Sequence, residues 1–126
     1  MAKYETAWVA RATPERAPDG TTVRPLLSLR SGSMAHFELE PGGVSLAVKH
    51  RSVGEIWLVV SGRGRMWRRQ SEQHSIVDLT PGVCVSIPRG TAFQFRCEGR
   101  ELLRIAAVTM PPWPGDHEAE LVAGKW

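Results

Sequence analysis

Cysteine is nearly absent from this chain: Cys84 and Cys97 are the only two in 126 residues. They form no metal-ligand spacing and no disulfide framework, which excludes a stapled secreted scaffold and a thiolate metal centre. Lysine is almost as scarce, three residues against thirteen scattered arginines. The formal net charge is +3, but no basic run or stripe gathers it, so no nucleic-acid partner is expected. No apolar run approaches the roughly 18 residues of a membrane span. The opening MAKYETAWVARATPERAP lacks the apolar core of a secretory signal. These absences predict a cytoplasmic chain with reduced thiols and no membrane or nucleic-acid partner. Sustained helical periodicity, internal repeats and linkers are missing too, which excludes bundles and solenoids.

Turn punctuation is plentiful. PDG at 18–20, SGS at 31–33, PGG at 41–43, SGRG at 61–64, PG at 81–82, PRG at 88–90 and CEG at 97–99 put proline or glycine where turns need fixed or positive φ. Between them lie apolar runs of strand length: VRPLLSL, AHFEL, VSLAV, EIWLVV, VCVSI, AFQFR and LLRIAAV. Valine, isoleucine, phenylalanine and tryptophan enrich several of these. Short strands about ten residues apart predict one all-β domain, an antiparallel sandwich or barrel. The pattern alone does not choose among such folds.

Two patches make the choice. In GGVSLAVKHRSVGEIWLVVSG, residues 42–62, Glu55 stands seven residues before Gly62 and His50 five before Glu55. In GVCVSIPRGTAF, residues 82–93, Gly82, Pro88 and Gly90 keep a fixed spacing. Together they resemble the paired signature of the cupin superfamily, in its small single-domain form. The first motif's other histidine falls on Val48, and the second motif's histidine on Phe93. The resemblance implies a double-stranded β-helix, or jelly roll, over roughly residues 23–110. It also implies that two of four metal-ligand positions carry no donor. A homodimer is expected from the same likeness, with residues 4–11 as an edge strand that buries Trp8 and pairs with a second subunit. The proline-led tail with Trp113 and Trp126 is expected to pack on the barrel.

Strand alternation then sorts side chains. If Glu55 points inward, so do Trp57 and Val59, and Ile56, Leu58 and Val60 take the other face. Both sets are apolar, so this strand should be covered on both sides. Leu46, Val48 and His50 should share a face, as should Phe93, Phe95 and Cys97, with Gln94 and Arg96 opposite. The expected cavity holds His50, Glu55, Val48, Trp57, Phe93 and Phe95, an apolar pocket with two convergent ionisable groups. His50 and Glu55 are the candidate catalytic pair; the other four are candidate substrate contacts. The bland readings are a structural His–Glu hydrogen bond, a core role for Trp57, and a barrel plugged by Phe93 and Phe95. No metal is favoured; a divalent transition metal would have only His50 and Glu55. His36 should face outward, opposite Phe37 and Leu39, while His74 lies in a polar hairpin and His117 in the tail. Arg63, Arg65 and Trp67 should share a largely solvated face.

Fold-level analogy suggests a small-molecule enzyme of the isomerase, cyclase or lyase type in a secondary-metabolism setting. The alternatives are a non-catalytic binding or sensing cupin and a metal-dependent, dioxygenase-like one.

Overall fold

The structure is a computed structural model that describes all residues, Met1–Trp126. It contains strands and two short 3-10 turns, and no α-helix. The strands are β1 (Glu15–Arg16), β2 (Thr22–Leu29), β3 (Gly32–Leu39), β4 (Val48–His50), β5 (Gly54–Ser61), β6 (Gly64–Gln70), β7 (Gln73–Leu79), β8 (Cys84–Ile87), β9 (Ala92–Cys97), β10 (Leu103–Met110) and β11 (Ala119–Leu121). Two antiparallel sheets result, ordered β1-β2-β3-β10-β5-β8 and β11-β4-β9-β6-β7. This is the all-β, two-sheet jelly roll that the turn pattern and the motif spacings predict. No helix is long and apolar enough to cross a membrane.

The core lies between the sheets. Trp57, Val59, Met66, Leu79, Ile87, Phe93, Phe95, Leu103 and Ile105 are buried in one cluster. Period-two alternation produces it: on β5, residues 55, 57 and 59 point in and 56, 58 and 60 point out. At Gly62 the backbone takes φ +86°, and a side chain would run into the carbonyl of Leu102. The β5–β6 connection therefore needs glycine there.

The two outer faces differ. On the five-stranded sheet, Trp67, Ala47 and Ala92 form a small cluster covered by Val122 and Trp126 of the tail. The Gln94 carboxamide, buried on the same face, binds Ser45 O, Trp126 O and the backbone amides of Lys125 and Trp126. On the six-stranded sheet nothing in the chain covers the outward residues of β5: Ile56 is 51%, Leu58 43% and Val60 49% exposed. The expectation that this strand is covered on both sides therefore fails within one chain.

Three further expectations are corrected. Residues 4–11 form no strand; Val9–Arg11 make a 3-10 turn, and Trp8 is exposed with the Arg11 guanidinium over its ring. The segment finds no strand partner in its own chain, so its backbone turns on itself at Arg11 and Ala12, whose amides bond Trp8 O. The VSLAV run is strand only from Val48, and Leu46 is exposed rather than sharing the face of Val48 and His50. Loop hydrogen bonds hold this stretch instead: Ser45 to Phe95, the Leu46 amide to Asp19 O, and the Val122 amide to Ala47 O. Trp67 lies under the tail rather than in solvent, while Arg65 beside it pairs with Asp78 and Glu98 at the surface.

Candidate functional site

Between the sheets opens a cavity of about 530 Å³. Val48, His50, Glu55, Trp57 and Phe93 line it, joined by Phe37, Asp19, Thr109 and Trp113. Five of the six expected cavity residues thus meet there. Phe95 does not: it packs into the core behind, its ring 5.0 Å from Trp57. Phe93 is a wall, and the space in front of it is open.

Strand pairing sets the positions. Glu55 on β5 lies directly opposite Thr109 on β10. Partners in an antiparallel ladder point to the same face, so the threonine hydroxyl reaches the carboxyl: Thr109 Oγ1 donates to Glu55 Oε2 at 2.9 Å. Trp57, two residues along the same face, donates Nε1–H to Oε1 at 2.8 Å. Ala107 opposite Trp57 is small enough to leave room for the indole. His50 closes β4, where it pairs with Ala119 of β11. Its ring meets Phe93 at 5.3 Å and Trp113 at 5.2 Å, both edge-on.

Burial dominates the electrostatics. The Glu55 carboxyl is pushed up to about 7 by loss of solvent, against the hydrogen bonds from Trp57 and Thr109. The nearby Asp19 carboxyl pushes the same way. His50 is pulled down to about 4, again by burial, with Glu118 opposing. His50 Nδ1 stands 4.0 Å from Glu55 Oε2. With a neutral imidazole and a carboxyl protonated below neutrality, this approach is not an ion pair. Nδ1 has no hydrogen-bond partner although the side chain is only 7% exposed. A buried, unpaired polar atom facing a cavity is a group waiting for a ligand.

Asp19, Thr109, Trp113 and Phe37 were not among the residues that the sequence assigned to the cavity. Asp19 sits in the PDG turn; its carboxylate accepts from the amide and hydroxyl of Thr21, and burial raises its pKa. Trp113 comes from the tail. Glu118, also in the tail, anchors that segment: its carboxylate accepts from the Ser52 amide, from Ser52 Oγ at 2.8 Å and from the Val53 amide at 3.0 Å. Burial works against ionisation there, yet these bonds outweigh it and hold Glu118 below the usual carboxylate value.

His36 lies on the outer face of β3 as expected. It is nonetheless buried, with Nδ1 3.6 Å from Glu38, and cannot reach the cavity. His74 and His117 are exposed.

A model of the cupin domain matches residues 35–109. The chain belongs to the cupin family. No curated protein sequence matches it. Among solved structures, KdgF from a Halomonas species superposes with a TM-score of 0.75 at 13% identity, over 89% of this chain and 97% of that one. Pac13, described as a nucleoside dehydratase, gives 0.74 at 14% identity, over 96% and 92%. A Thermotoga maritima protein described as a predicted oxalate decarboxylase gives 0.72 at 20%, over 85% and 99%. Identities this low carry the cupin fold and no more.

Metal binding is common in this family, and the cavity residues do not fit it. Val48 and Phe93 occupy two of the four ligand positions and have no donor atom. No group of three or more His, Cys, Asp or Glu side chains is arranged to hold an ion. Three protein ligands are the usual minimum for a catalytic zinc or a non-haem iron.

Proposed function

We propose that this cupin is a small-molecule enzyme of the lyase or isomerase type, with Glu55 and His50 as its acid–base pair. What carries the reading is one juxtaposition. A carboxyl poised near neutrality and an unpaired imidazole nitrogen face the same aromatic-walled cavity. A proton-transfer group works best when its pKa lies near the working pH. Glu55 meets that condition, and each of its oxygens keeps a second lone pair beyond the bond it accepts.

The chemistry closes without a cofactor. The Glu55 carboxylate takes the proton α to a substrate carbonyl, and the C–H electrons form an enolate. Neutral His50 hydrogen-bonds the enolate oxygen, as a neutral imidazole can. The protonated Glu55 then gives its proton to a departing β-hydroxyl, and water leaves as the C=C bond forms. If it returns the proton to another carbon instead, the net result is isomerisation. If the enolate carbon instead attacks a second carbonyl of the same substrate, whose C=O π electrons become an alkoxide that takes the proton from Glu55, the net result is cyclisation. Pac13, whose description names a dehydratase and one of whose variants is bound to uridine, offers a precedent on this fold.

The alternative is a binding cupin without chemistry. It is favoured by the internal hydrogen bonds on both Glu55 oxygens, which a purely structural carboxyl would also have. The deciding experiment incubates the protein with a panel of β-hydroxy carbonyl ring compounds in deuterated water. Loss of water or uptake of deuterium is followed by mass spectrometry. Turnover by the native protein that falls on the order of a hundredfold or more in Glu55→Gln supports the enzyme. Ligand retention with no turnover in either protein makes it a binder.

A further inference from the structure

Seven titratable side chains line the cavity and its mouth: Glu5, Glu15, Arg16, Asp19, His50, Glu55 and Asp116. Five are carboxyls, in a chain where Lys and Arg outnumber Asp and Glu by 16 to 13. The single guanidinium, Arg16, is turned to the carbonyl of Gly20 at 2.8 Å. None of the other twelve arginines reaches the lining. No salt bridge engages Glu5, Glu15, Asp19 or Asp116. The only unpaired polar atom inside is His50 Nδ1, on a side chain 7% exposed. The walls are aromatic: Phe37, Trp57, Phe93 and Trp113.

From this we infer that the substrate is a ring compound whose polar substituents are hydroxyl or amino groups, and that the cavity rejects phosphate and carboxylate. The inference rests on the cavity being the substrate site. An anion buried in the interior would find no cationic partner there and would have to pass the Glu5, Glu15 and Asp116 carboxylates at the mouth. A ring finds π faces on several sides, and an amine gains both cation–π and carboxylate contacts. A volume near 530 Å³ suits a mono- or bicyclic substrate with substituents.

Matched probes test it. Tryptophol, tryptamine and indole-3-acetate share one ring and differ in the charge of the side arm. Their affinities are measured by calorimetry at neutral pH, with Val48→Trp as a variant in which the cavity is filled. The alcohol and the amine should bind at least about tenfold more tightly than the acetate. That gap should narrow in the exposed-site double variant Glu15→Gln, Asp116→Asn, and binding should vanish in Val48→Trp. Equal or tighter binding of the acetate overturns the inference, as does failure of all three probes to bind. Binding is read without turnover, so a cavity with this charge preference but no catalysis removes the enzyme reading and leaves this one standing.

Discussion

Glu55 concentrates the opposing forces of the site. Removal from water lifts its pKa, and two hydrogen bonds hold the rise in check, the one from Trp57 more strongly than the one from Thr109. Asp19 adds repulsion. Each contribution belongs to a separate side chain, so each can be removed separately. Thr109→Val keeps shape and removes a donor to the ionised form; the Glu55 pKa should rise by about one unit. Trp57→Phe should raise it as well, and Asp19→Asn should lower it. Carbon-detected NMR of labelled glutamate across a pH series reads all three. A carboxyl that does not move in Thr109→Val would show that the hydroxyl does not tune it. His50 and Glu55 were legible in the sequence because motif spacing marks them. Thr109 was not, because its role depends on β10 lying beside β5, a pairing between strands distant in the chain. Asp19 reads as an ordinary turn residue until the fold places its carboxyl in the cavity wall.

At the scale of elements, what was local in the sequence was readable. Strands β5, β8, β9 and β10 lie where apolar runs and flanking Pro–Gly turns put them, whereas β6 and β7, rich in charged and polar residues, were not among the apolar runs. The failures occur where a segment's fate depends on something outside itself. Residues 44–47 have strand composition, but loop hydrogen bonds from Ser45 and Leu46 replace the ladder. Residues 4–11 have it too, but find no edge in their own chain. The tail shows the converse. Its polar DHEAEL run has no strand signature, yet Glu118 satisfies the Ser52 and Val53 amides, and Ala119–Leu121 then pair with β4. That docking sets Trp113 against His50. The tail is therefore part of the site's wall, placed by the Glu118 carboxylate on the Ser52 and Val53 amides as well as by Val122 and Trp126 packed on the Trp67 cluster.

At the scale of the whole molecule, the same pair leaves a signature in stability. Glu55 binds its proton more tightly in the folded state, about 7 against the usual 4.5. Between those values the native protein holds a proton that the unfolded chain has lost, so stability falls as pH rises, by about 1.4 kcal/mol per pH unit. His50 behaves oppositely, about 4 against 6.5. Across that window the unfolded chain holds the extra proton, and stability falls as pH falls, with the same slope. From pH 4.5 to 6.5 the two slopes cancel, so the pair contributes a plateau. Removing one partner exposes the other. In His50→Ala the melting temperature should drop as pH rises from 4.5 to 7, by on the order of 10 °C relative to the native protein. In Glu55→Gln it should drop as pH falls from 6.5 to 4. His36 is present in every protein and cancels in the differences, whereas Asp19 and Glu118, coupled to Glu55 and His50, shift with the partner removed and modify the slopes. Differential scanning calorimetry across this range checks both slopes. Parallel profiles for native and variant proteins would mean that neither group is held away from its ordinary pKa. The case for an acid–base pair poised between the sheets would then lose its electrostatic basis, whatever the cavity binds.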